Sequence, residues 1–187
     1  MPLVALGVAS LLQGCVGDGP SLTAYDLSAA EVPSQNPLKV ELAVREPLGP
    51  IEFDTPRIVV RTDEKTLAYL PDGRWSERLP ALVQTRLVET FQNAHLFRSV
   101  SRVGGTPADY ALALDIRHFE IDAPSSKAVV EIGAEIDRGT NGRIMATKVF
   151  KADAPVAAVN GAQAAAALDK ALAVVMGQIV SFTAGRL

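Results

Sequence analysis

The chain has 187 residues, of which 48% are hydrophobic, 21% charged and 5% aromatic, and 18 Lys and Arg against 21 Asp and Glu leave a formal net charge of -3. That length holds one domain with a substantial core and is short for two. The basic residues are scattered along an acidic chain, so the electrostatic footprint of a nucleic-acid binder is missing and that class of partner is set aside.

Residues 1–14 (MPLVALGVASLLQG) are apolar, uncharged and too few to span a bilayer as a helix, and so predict a secretory signal. The run ends at Cys15, the only cysteine, which excludes an internal disulfide and a CxxC metal site. Leu12-Gln13-Gly14-Cys15 resembles a lipobox, where a small residue precedes a Cys that is diacylated before the signal is removed; the competing reading is an incidental or buried thiol. Gln13 is unusual at its position, and no Lys or Arg precedes the apolar run, which points to a translation start upstream of Met1. On this reading 1–14 is signal, 15–21 the lipidated Cys and its tether, and 22–187 the folded domain. Val16 rather than Asp after the Cys favours the outer membrane, by analogy with enterobacterial sorting.

Residues 23–27 predict a first strand, 31–37 a Pro-bounded polar loop, and 39–45 a half-buried strand with Val40, Leu42 and Val44 on one face. Pro47 and Pro50 end that strand, and 48–53 is an irregular apolar connection, either folded over the core or left for a partner. Residues 58–62 and 67–70, joined by Asp63-Glu64-Lys65, read as a β-hairpin that Pro71-Asp72-Gly73 should end. Ser76 is a candidate N-cap and Pro80 falls in the first turn of the helix that follows. Leu79, Leu82, Val83, Leu87 and Phe91 make its apolar stripe, with Glu77, Arg78, Gln84, Arg86, Glu89 and Gln92 expected on the other side.

Residues 97–103 predict a strand and 104–107 a surface loop. Residues 110–120 are the clearest strand, with Tyr110, Leu112, Leu114 and Ile116 alternating against Ala111, Ala113, Asp115 and Arg117. The alternation slips at His118-Phe119, as a β-bulge or a strand end would make it. Residues 127–137 and 143–151 form a second hairpin around Gly139-Thr140-Asn141-Gly142. Asn160 should cap a last helix that Gly185 stops, with Leu168, Leu172, Val175, Met176, Ile179 and Phe182 buried; at about 1.5 Å per residue it is roughly 35 Å long. Two long helices over a mixed, largely antiparallel sheet of six to eight strands, in the order βββαββββα, make a single layered α/β domain.

Residues that could carry chemistry are few. His118, Glu120 and Asp122 lie two apart on a strand without further His or Cys nearby, a poor metal set, and His95 ends a helix. GxSxG, GxGxxG, P-loop and HExxH motifs are absent, and Glu52 with Asp54 reads as a solvated loop, so the expectation is a protein without catalysis, cofactor or metal. Trp75, the sole Trp, either pins the helix to the hairpin or joins Tyr69 and Leu70 in an exposed aromatic edge that docks a partner.

The order "PRIVVR", "LAY", a Trp followed by "LP" and a helix, then "LFRSV", resembles the ABC-type transport auxiliary lipoproteins, periplasmic proteins that accompany MCE-type (mammalian cell entry) lipid transport systems. The similarity extends from Tyr25-Asp26-Leu27 through "ADYALALDIRHFE" to the last helix. It implies a sheet like that of the TolB N-terminal domain, partners among MCE-domain, permease and ATPase subunits, a membrane held through a lipid anchor, and room for a homo-oligomer. The alternatives are a self-contained lipoprotein holding a small apolar ligand between helix and sheet, and a structural envelope lipoprotein with TolB-like contacts.

Overall fold

The computed structural model describes residues 22–33, 37–102 and 108–187. In chain order the elements are β1 (Thr23–Tyr25), β2 (Glu41–Val44), β3 (Arg57–Arg61), β4 (Leu67–Trp75), α1 (Leu79–Asn93), β5 (Ser99–Arg102), β6 (Tyr110–Asp122), β7 (Lys127–Arg138), β8 (Ile144–Pro155) and α2 (Gly161–Ala184). Eight strands in one mixed sheet with two helices give the layered α/β domain expected from the sequence; the four strands read singly ahead of α1 are all present, one more than the order βββα counts.

β6 is the spine. It runs antiparallel to β7 along its whole length, and on its other side it pairs in parallel with β2 near its start and with β3 near its end. Between those two pairings the chain after β2 fills the gap: Arg45 N donates to Leu112 O at 2.9 Å and Leu48 N to Leu114 O at 3.0 Å. The antiparallel pairings β3–β4, β6–β7 and β7–β8 are the long ones, whereas β1–β4, β2–β5, β2–β6 and β3–β6 are short and parallel. The slip read in β6 is a bulge, with Arg117 lying between the paired residues Ile116 and His118. Because side chains alternate with a period of two, the extra residue swaps the inward set from Leu112, Leu114 and Ile116 to Phe119 and Ile121, all buried.

Both hairpins form where they were expected. Asp63 Oδ1 accepts from Lys65 N and Thr66 N, each at 2.9 Å, which closes the first turn. β4 does not stop at Pro71-Asp72-Gly73 but continues to Trp75, because Gly73, Arg74 and Trp75 acquire a second neighbour in β1. Gly73 is required there, since a Cβ would lie 2.8 Å from the Tyr25 ring and 3.0 Å from Gly161 Cα. Ser76 is not the cap of α1: its N–H is still engaged with Tyr25 O at 2.7 Å, and the helix opens at Leu79 from Arg78 without a side-chain cap, with Pro80 in the first turn. The stripe Leu79, Leu82, Val83, Leu87 and Phe91 is buried as expected. Gln84, expected outside, is buried too, because its Nε2 donates to Val44 O at 3.0 Å and ties α1 to β2.

In α2 the Asn160 side chain accepts from Gln163 N at 3.0 Å, and Gly185 is the C-cap. Asp72 adds to this start by accepting from Gly161 N at 3.0 Å. Leu168, Leu172, Val175, Met176 and Ile179 are fully buried, while Phe182 is half-buried. The helix is long and apolar enough by composition to cross a membrane, with a mean hydropathy of 1.5. Here, however, it lies on β7 and β8, reaches β4 and touches α1, so its apolar stripe is core.

Candidate functional site

Cys15, the expected lipobox and the expected tether lie outside the described residues, as does the loop predicted at 104–107. The proposed aromatic edge can be placed. Trp75 is 1% exposed and packs edge-to-face on Phe119, with ring centroids 5.8 Å apart, and Leu70, five residues earlier in β4, is also buried. Only Tyr69, which points away from Leu70 by strand alternation, reaches solvent, at 37%, and the Arg57 guanidinium stacks over its ring at 4.2 Å. These three residues therefore do not form an exposed edge, and Trp75 pins the corner between hairpin and helix.

The titratable residues singled out from the sequence are engaged in structure. Glu120, buried, receives Arg61 Nε at 2.8 Å on one carboxylate oxygen and Arg61 Nη2 at 3.1 Å on the other. His118 Nδ1 lies 3.1 Å from the same carboxylate. The Glu120 carboxylate raises the Arg61 pKa above its ordinary value, so the guanidinium stays charged. Asp122 instead accepts from the Ser125 hydroxyl, and among the described residues there is no group of three His, Cys, Asp or Glu able to hold a metal ion. Asp54 pairs with Arg78, which also donates to Glu46 at 3.1 Å, rather than with Glu52. His95 adopts a left-handed φ of 52° just after α1.

What the structure adds is β8. Among the described residues it has one neighbour, β7, so its other edge is open. Its first half is exposed on both sides, with Ile144 56% exposed and Met145 and Val149 also well exposed. On one side of the strand a depression of about 590 Å³ has Ala113 and Gly133 as small residues in its lining and Leu48 and Val149 as its apolar rim, with Asp115 and Arg117 beside them. Ile51, at 86%, extends the exposed aliphatic surface of the 48–53 connection, while Phe53 of the same connection is buried. Phe53 is thus folded over the core, as the first of the two readings of that segment has it, while Leu48 and Ile51 are exposed. On the other side of β8, where α2 packs on it, a groove of about 860 Å³ is lined by Phe150 of the strand, Val174, Gly177 and Phe182 of the helix, and Val32 and Pro33.

Sequence reasoning missed this region because openness of an edge is set by topology. One local signal was present: Ile144 and Met145 are adjacent apolar residues, a break in alternation at the bulge between Ile136 and Asp137.

Comparison with known proteins places this architecture. The family model described as ABC-type transport auxiliary lipoprotein component matches residues 22–180. The chain is 30% identical to an uncharacterized protein of Bradyrhizobium diazoefficiens over 95% of its own length and 49% of that protein, so it spans about half of that relative. A crystal structure of a Xanthomonas campestris protein of the DUF330 family superposes with a TM-score of 0.80 and 25% identity, covering 89% of this chain and 95% of that one. A hypothetical protein from Chlamydia trachomatis shares the fold at a TM-score of 0.53 and 8% identity, covering 80% of this chain and 98% of that one.

Proposed function

Since the chain belongs to the ABC-type transport auxiliary lipoprotein component family, we propose that it is a non-enzymatic, lipid-anchored periplasmic subunit of an ABC transporter of the MCE type, which moves lipids or other apolar substrates across the envelope. The observation that carries this reading is the family match across 22–180, which takes in the whole sheet and its open apolar flank on β8. Leu48, Val149, Met145 and Ile144 form the surface for a periplasmically exposed partner from the transporter, an MCE-domain protein or permease, with the ATPase subunit in the same assembly. The buried ionic groups serve the fold: Arg61 engages both carboxylate oxygens of Glu120, and Arg45 Nη1 donates to Asp137 Oδ2 at 2.5 Å, while Asp137 Oδ1 has no partner among the described residues.

The anchor limits the reach of the domain. From Cys15 to Thr23 there are eight residue steps, which span about 26–29 Å when fully extended. A domain held this close to its membrane receives from, or docks onto, a partner that covers the rest of the gap. Val16 favours the outer membrane as that surface. A second reading, a lipoprotein that holds a small apolar ligand between helix and sheet, draws on the groove between β8 and α2.

The test is affinity purification of the lipidated protein from crosslinked membranes. Co-purification of permease, ATPase and MCE-domain subunits, lost with membrane attachment in Cys15→Ser, is expected. A protein that remains on membranes as Cys15→Ser, or that is recovered without any transporter subunit, would overturn the reading.

A further inference from the structure

We infer that the groove between α2 and β8 binds a single-chain anionic amphiphile, a fatty acid or a lysophospholipid, with its chain along the Val174–Gly177 face of α2 and its anionic head at Lys148 and Arg186. Val174, Gly177, Gln178, Ser181, Phe182 and Gly185 follow one another at three- and one-residue steps, so they form one continuous face, about 17 Å long at 1.5 Å per residue. The opposite wall is Phe150, with Val32 and Pro33 as further apolar lining. A volume of about 860 Å³ is in the range of small-molecule sites, roughly 300–1,000 Å³.

Charge complementarity selects an anion. Lys148 Nζ sits 5.2 Å from the Phe150 ring centroid and the Arg186 guanidinium 5.7 Å from that of Phe182. The two rings are themselves edge-to-face at 5.5 Å, so both cations flank one aromatic pair. Among the described residues, neither cation has an acidic partner within 4.0 Å, whereas the third cation of the lining, Lys151, is held by Glu131 at 3.3 Å. Glu31 is the single carboxylate of the lining. Cations over an apolar floor match an acyl chain with an ionised head, which neither an uncharged lipid nor a soluble anion does.

Gly177 is an independent observation. A glycine inside a helix is destabilising relative to alanine, and it persists where something must come close to the backbone. Nothing among the described residues requires it, since a Cβ built at Gly177 meets none of their atoms within 4 Å. The space that it leaves is the groove itself, and Val174 beside it is 50% exposed.

This inference rests on the ligand-binding reading of the groove and not on docking to a transporter. The experiment is displacement of cis-parinaric acid from the full chain carrying Cys15→Ser, by palmitate, by a lysophosphatidic acid and by hexadecanol. Both anions should compete, with hexadecanol at least about tenfold weaker, and Gly177→Leu and the pair Lys148→Glu with Arg186→Glu should each weaken palmitate by about tenfold or more. Gly177→Leu should melt at or above the parent temperature, because leucine is the better helix former, so its lost binding reports a filled groove. Equal competition by hexadecanol would overturn the anionic selection and leave a ligand groove. Absence of any competition, or unchanged affinity in both variants, would overturn the site altogether.

Discussion

The hairpin corner at Trp75 and the free flank of β8 dispose of their apolar residues in opposite ways. At the corner, β4 has β3 on one side and β1 on the other, and Trp75, Leu70 and Phe119 are buried. On the flank, β8 has β7 alone among the described residues, and Ile144, Met145 and Val149 are exposed. The large aromatic, usually the first suspect for an interface anchor, is structural, and plain aliphatic residues are available for contact. Sheet position decides which apolar residues are spare, and residue type does not.

The contrast can be broken most severely from the core side. Leu172→Asp places a carboxylate among fully buried neighbours and should remove most of a domain stability of about 5–15 kcal/mol. Trp75→Ala should follow at about 3–5 kcal/mol, read by denaturant unfolding. A melting curve unchanged by either would mean that the corner or the helix face is open. Ile144→Asp belongs to the other region and should change stability by no more than about 0.5 kcal/mol, while reducing recovery of transporter subunits. A large loss of stability there would show that the flank is core.

A further small effect is electrostatic. The hydrogen bond from Arg86 holds the Asp26 carboxyl below its ordinary pKa of 3.8, against a smaller opposing effect of burial. A depressed folded-state pKa contributes stability that is complete above the ordinary value and is lost as pH falls through the lowered one. The side chain is largely exposed, so Asp26→Asn should cost under about 1 kcal/mol at neutral pH. The difference from the parent should vanish in acid; a gap that persists below the lowered pKa would assign the effect to packing.

Much of the fold was legible because it is local. The bulge in β6 shows as a one-residue slip between Ile116 and Phe119, and Asn160 announces α2 as an N-cap before an Ala-rich stripe. What was not legible depends on partners distant in sequence. Ser76 looked like a cap until Tyr25, 51 positions earlier, claimed its N–H, and Pro71-Asp72-Gly73 looked like a stop until β1 extended the ladder. Gln84 looked solvent-facing by helical phase, but Val44 O needed its amide. For the site, the sequence picked out the aromatic residues of β4 by type, whereas the open edge of β8 follows from the strand order, which periodicity does not encode.

The most direct measurement is photocrosslinking in intact membranes from two positions of the lipidated protein, one in each region. A photoreactive phenylalanine analogue at Thr147, exposed on β8, should be captured by the MCE-domain or permease subunit, and the same analogue at Tyr69 should not. Capture of a transporter subunit from Tyr69 with none from Thr147 would contradict the assignment of the β8 flank as the contact surface.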